Sequence, residues 1–151
     1  MKKTLRIFTL MLMGVIGVAL WSCSDDDNDQ PIVYDSLPAL AKAFVTLHYS
    51  DTSVSSVVQK TDNGLVEYEV LMADGQKVTF NASGEWIDVD APAGQTIPLG
   101  IVPAKIAVYI ASNYSGVGVS EISKSVTGYE VELVSGVDLL FDAAGDFVRV
   151  E

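Results

Sequence analysis

From residue 36 onward the hydrophobic positions change their period in a fixed order, and they do so twice. Leu37, Ala41, Phe44 and Val45 are spaced by three and four, as are Val102, Ile106, Tyr109 and Ile110. Each set therefore forms one stripe of a helix facing a core. Pro38 and Pro103 open the two stretches, in a first helical turn where a missing amide costs little. After Tyr49 and Tyr114 the period falls to two. Strands are predicted over 54–60, 66–72, 77–81 and 85–89, and again over 119–125, 128–134, 138–142 and 146–150. The joints carry turn chemistry, in Asp62-Asn63-Gly64, Asp74-Gly75, Ser83-Gly84, Ser135-Gly136 and Ala144-Gly145. Connections this short force antiparallel neighbours.

The two stretches also match residue by residue. At an offset of 65, Leu37-Pro38-Ala39 meets Val102-Pro103-Ala104, and Tyr49-Ser50 meets Tyr114-Ser115. At an offset of 61, Tyr68-Glu69-Val70 meets Tyr129-Glu130-Val131, Phe80 meets Phe141, Gly84 meets Gly145, Trp86 meets Phe147 and Val89 meets Val150. The change of four is a longer hairpin around Lys60 to Leu65 in the first copy. The unit is one helix followed by a four-stranded meander, present twice.

The leucine-proline helix start, the tyrosine-x-valine strand, the aspartate-glycine turn, the phenylalanine strand and the glycine-x-tryptophan ending, in this order, resemble the PepSY-like proteins of Bacteroidota, whose fold is similar to that of β-lactamase-inhibitor protein. The resemblance covers Ser36 to Glu151. It implies an α+β fold, with tandem helix-plus-four-strand antiparallel repeats forming one curved sheet with the helices on one face. The expected organisation is repeat 1 over 36–91, a linker over 91–101 and repeat 2 over 102–151. The resemblance also implies a protein-binding role through the open sheet face, with a peptidase as one class of partner and inhibition as one outcome.

The first segment stands outside this unit. Lys2, Lys3 and Arg6 precede an apolar run from Ile7 to Trp21, which reads as an export signal over 1–22. Leu20-Trp21-Ser22-Cys23 resembles the bacterial lipobox, which makes Cys23, the only cysteine, the expected lipidated first residue of the mature chain. Trp21 departs from that pattern, which prefers a smaller residue. Several acyl chains at Cys23 provide a stable membrane anchor where one would not. Residues 23–35 are expected to be a disordered acidic tether, since Asp25, Asp26, Asp27 and Asp29 repel one another and bury nothing. An acidic run in this place resembles the signal that sends lipoproteins to the outer face of the outer membrane. The expected location is thus the outer membrane, facing the cell surface or the periplasm.

Composition narrows the chemistry. The 151 residues carry 20 acidic and 9 basic side chains, and removal of Lys2, Lys3 and Arg6 deepens the net charge from −11 to −14. Such a chain repels phosphates, so a nucleic-acid partner is not expected. One cysteine excludes a disulfide scaffold. His48 is the single histidine and has no companion for a zinc or iron site, so no metal and no cofactor are expected. No serine sits in a glycine-flanked nucleophile elbow. Glu67, Glu69, Glu130 and Glu132 alternate along strands as solvent-facing residues rather than as a catalytic acid pair. The chain reads as a non-enzyme.

Alternation sorts the strand residues into two faces. Tyr68, Val70, Met72, Val78, Phe80, Ile87 and Val89 share one side, with Tyr129, Val131, Leu133, Leu139, Phe141, Val148 and Val150, and this side is expected to meet the helices. The other receives Glu67, Glu69, Leu71, Lys77, Thr79, Trp86, Asp88, Glu130, Glu132, Asp138, Leu140, Phe147 and Arg149. Aromatic anchors within a polar rim suit a protein interface. The binding residues expected there are Trp86, Phe147, Leu71, Leu140, Glu69, Glu130 and Arg149, with a basic protein or peptide as partner. Three alternatives stand beside this reading: rings buried against one another or under the linker, an extracellular glycan stacked on them, and a structural envelope protein without a ligand.

Overall fold

The computed structural model describes residues 29–62 and 64–151. Among these residues two α-helices, α1 (Ala39–His48) and α2 (Ala104–Asn113), accompany nine strands: β1 (Gln30–Pro31), β2 (Val54–Asp62), β3 (Leu65–Met72), β4 (Lys77–Asn81), β5 (Trp86–Asp90), β6 (Val119–Ser125), β7 (Gly128–Leu133), β8 (Asp138–Asp142) and β9 (Phe147–Val150). All nine form one open sheet whose spatial order is the chain order. Every neighbouring pair is antiparallel, including β5 and β6, which flank the linker and α2.

The register carries one apolar face across the sheet. Val78 lies opposite Val89, Val89 opposite Ile122, Ile122 opposite Val131, and Val131 opposite Leu139. None of these five side chains has accessible surface. At roughly 1.5–3 kcal/mol for each large aliphatic or aromatic side chain removed from water, this face is the main stabilising contact of the domain. Both helices cover it. Phe44 of α1 stands edge-on to Phe80 at 5.5 Å, and Tyr109 of α2 stands edge-on to Phe141 at 5.4 Å.

The hairpin ends fit the helix starts. In the β4–β5 turn the Asn81 Oδ1 accepts the backbone N–H groups of Ser83 and Glu85, and in the β8–β9 turn the Asp142 Oδ1 accepts those of Ala144 and Asp146. Gly84, between Ser83 and Glu85, has φ +85°, and a Cβ there would lie 2.7 Å from the Pro38 Cβ and 3.0 Å from the Ala41 nitrogen. Only glycine lets the first turn of α1 approach so closely.

Two sequence expectations need correction. Of the tether expected to be disordered over 23–35, the part from residue 30 is ordered: Gln30 and Pro31 pair with Gln59 and Val58, the Ile32 N–H bonds to the Val57 carbonyl, and Tyr34 packs on the core. The segment 91–101 packs against the sheet, since Ile97 and Ile101 are buried and the Ile97 N–H bonds to the Val119 carbonyl. The second correction concerns the two candidate anchors. In β5 the register slips by one residue, so that Thr79 faces Asp88 while Phe80 faces Trp86. In β9 the same slip sets Leu140 against Arg149 but Phe141 against Phe147. A bulge adds one residue and reverses the alternation beyond it. Trp86 and Phe147 therefore lie on the helix side, and the expectation that they stand on the open face fails.

Candidate functional site

On the helix side the two rings bridge sheet and helices. Trp86 lies 6.4 Å from Phe44 and 6.5 Å from Tyr129, with the Lys124 Nζ 5.8 Å from its centroid. Phe147 stacks on Tyr109 at 4.5 Å with an interplanar angle of 12°.

The open side carries the other expected residues, with a different centre. Glu69 is held by Lys60 at 3.0 Å, between Val58 and Thr79. Leu71 lies between Ser56 and Lys77, and Leu140 between Glu130 and Arg149. Arg149 is ion-paired to Glu151. These residues belong to or adjoin two rows that run across the strands. One row is Lys77, Asp90, Glu121, Glu132 and Asp138, each directly opposite the next. The other is Thr79, Asp88, Ser123, Glu130, Leu140 and Arg149. Four carboxylates thus stand in succession on neighbouring strands, with Asp88 and Glu130 beside them.

Like charges directly opposite on paired strands oppose each other's ionisation. Burial pushes the Glu121 carboxyl up to about 7, and Asp88, Asp90, Glu132 and Glu130 add to the effect. Burial also raises Asp88, against the pull of Lys77. Lys77 supplies the one cation at the head of the row, its Nζ 3.5 Å from Asp90. Where the row meets the linker, Asp90, Glu121 and Glu132 line a cleft of about 230 Å³ with Gly94, Val134 and Gly136.

Sequence reasoning missed Asp90 and Glu121 because their neighbours are set by the β5–β6 pairing, which joins strands 29 residues apart across a helix. The alternation of Glu121 and Ser123 against Ile122 was the available signal.

The remaining candidates are placed as follows. His48 lies against the Phe44 ring at 4.6 Å, and burial lowers its basicity. Among the described residues no group of three or more His, Cys, Asp or Glu side chains is placed to hold a metal ion. Among the same residues no helix is long and apolar enough to cross a membrane. Cys23 and the export segment lie outside the described residues.

The chain thus presents an open antiparallel sheet with both helices on one face and charged residues on the other. Residues 66–149 match a family model described as "Putative beta-lactamase-inhibitor-like, PepSY-like", and the chain belongs to this PepSY-like family. A solved structure from Bacteroides thetaiotaomicron, described as a "putative calcium-regulated periplasmic protein", is 32% identical with a TM-score of 0.78, covering 82% of this chain and 97% of its own. A "putative periplasmic protein" from Bacteroides vulgatus is 30% identical, again with a TM-score of 0.78, over 83% of this chain and 98% of its own. A second periplasmic protein from Bacteroides vulgatus, of unknown function, is 29% identical at the same TM-score, over 82% and 99%. A comparison with curated protein sequences finds no match. The relatives support a periplasmic location, and none of these descriptions names a reaction.

Proposed function

We propose that this protein is a lipid-anchored envelope module, built from two copies of one helix-plus-four-strand unit, that binds a basic segment of a protein or peptide through the open face of its sheet. The observation that carries this reading is the row Asp90, Glu121, Glu132 and Asp138, four carboxylates directly opposite one another on four adjacent strands. Nothing in folding favours such a row, whereas a cationic partner gains from each member. Leu71 and Leu140 flank it and offer apolar contact to the same segment. The glycan alternative loses its support, because it rested on Trp86 standing on the open face.

The test uses an extended peptide of alternating lysine and alanine, titrated into the folded domain by calorimetry. Binding that weakens at least about tenfold in Asp90→Asn/Glu121→Gln/Glu132→Gln, with a steep salt dependence, is the expected outcome. Equal binding by the triple variant would overturn the reading. The "putative calcium-regulated" description of the Bacteroides thetaiotaomicron relative does not carry over to this row, whose carboxylates are not grouped to hold a metal ion. Membrane attachment has a separate test: Cys23→Ala moves the protein from the membrane fraction to the soluble one.

A further inference from the structure

The two ends of the sheet are unlike. At one end β1 is two residues long and ends in Pro31, which offers no amide to an incoming strand, and this short strand covers β2. At the other end no strand among the described residues pairs with the outer edge of β9, and all four of its residues are exposed.

The molecule itself displays what belongs beside such a strand. β5 stands to α1 as β9 stands to α2: Trp86 faces Phe80 beneath Phe44, and Phe147 faces Phe141 beneath Tyr109. Val89 of β5 is then covered by Ile122 of β6, directly opposite, and both are fully buried. Val150 holds the same place in β9 and remains 51% exposed. Its backbone is turned the same way. The Glu151 N–H donates to the Asp138 carbonyl while Val150 faces Leu139, so the N–H and C=O of Val150 point away from β8.

We infer that the free edge of β9 accepts an antiparallel strand from a partner protein, paired as β6 pairs with β5, with a β-branched apolar side chain opposite Val150. Charge defines the flanking positions: the partner strand carries a base opposite Glu151 and a polar or acidic residue opposite Arg149. A second copy of this chain is a poor occupant, because the strand that corresponds to β6 is β2, already covered by β1, and two chains each of net charge −11 repel. Strand addition of this kind draws affinity from main-chain hydrogen bonds and specificity from alternate side chains. It uses the edge of the sheet and is independent of the acidic face.

The probe is a synthetic peptide of residues 117–125 carrying Glu121→Lys, added to the isotopically labelled domain and followed by amide shifts. The expected result is saturable binding with shifts at 147–151 and cross-strand contacts between the peptide isoleucine and Val150. Val150→Pro, which removes an outward amide without touching the β8 ladder, weakens binding about tenfold or more. Val150→Asp, which leaves the backbone intact, does the same if the proline variant fails to fold. Shifts on β1 and β2 instead of β9, undiminished binding to both variants, or no binding would overturn the proposal. So would sedimentation showing that the unliganded domain dimerises through β9.

Discussion

The two faces of the one sheet obey opposite rules. Toward the helices, Val70, Val78, Phe80, Val89, Ile122, Val131, Leu133 and Leu139 have no accessible surface, and among the described residues no buried polar or charged residue interrupts them. Toward solvent, the residues between these same positions bring Asp90, Glu121, Glu132 and Asp138 into one row of like charge. Register forces neither arrangement; it only transmits the choice made at alternate positions. The helix side holds enough apolar burial to stabilise the sheet without help from the other side. That freedom lets the open face keep carboxylates in positions that cost stability, a local conflict of the kind that marks function.

The largest effect separates the faces outright. Phe80→Ala removes a ring with no accessible surface that touches Phe44, and should cost about 3–5 kcal/mol in a denaturant titration. Leu71→Ala, on the open face and 37% exposed, should cost less than about 1 kcal/mol. Comparable losses would mean that the open face is also core. Trp86 comes next. Its ring lies among Phe44, Tyr129 and Lys124 and is only partly exposed, so Trp86→Ala should cost about 2–3 kcal/mol, at or below the range for fully buried rings. A change within about 0.5 kcal/mol would restore it to the role of a surface anchor.

Trp86 also shows how far the sequence could be read. Helix stripes, strand spans and turns follow from periodicity and local turn chemistry, and β2 to β9 begin and end within two residues of the eight expected strands, whereas β1 was not expected. The face of a residue follows from alternation only until a bulge. Ile87 and Val148 are the extra residues in β5 and β9, and nothing local in Glu85-Trp86-Ile87-Asp88 distinguishes a regular strand from a bulged one. The decision comes from Phe44 and Tyr109, which attract the following ring to their own side of the sheet. Exposure of Val150 has a different origin, since its face was expected correctly and its missing neighbour is a property of the sheet order. Glu69, Leu71, Glu130, Leu140 and Arg149 were legible as open-face residues, while the acidic row had to wait for the pairing of β5 with β6.

A smaller effect tests the row by pH. The folded Glu121 carboxyl is raised to about 7 from its ordinary 4.5, so the folded state holds a proton that the unfolded chain has released across that window. Stability should therefore fall as pH rises from about 4.5 through 7, the reverse of a salt-bridged carboxylate. Glu121→Gln should flatten this slope in thermal melts and gain about 1 kcal/mol at pH 8, a figure reduced for solvent screening of a half-buried group. Stability that rises with pH over the same range in the parent, or an unchanged slope in the variant, would show that the row does not couple to the fold.

The smallest effect asks whether every charge on this face matters equally. Lys60 and Glu69 lie 3.0 Å apart with side chains 39% and 28% exposed. A pair so open to water contributes little, and Lys60→Met should shift stability by no more than about 0.5 kcal/mol. Lys77 differs in position rather than in distance, because its contact with Asp90 places it at the head of the carboxylate row. Lys77→Met removes the one cation that competes there with an incoming lysine, and should tighten the lysine-alanine peptide about two- to threefold while Lys60→Met leaves it unchanged. Equal effects of the two substitutions would mean that the peptide senses only the net charge of the domain. Unequal effects would place it along Asp90, Glu121 and Glu132, where the sheet has set its carboxylates side by side.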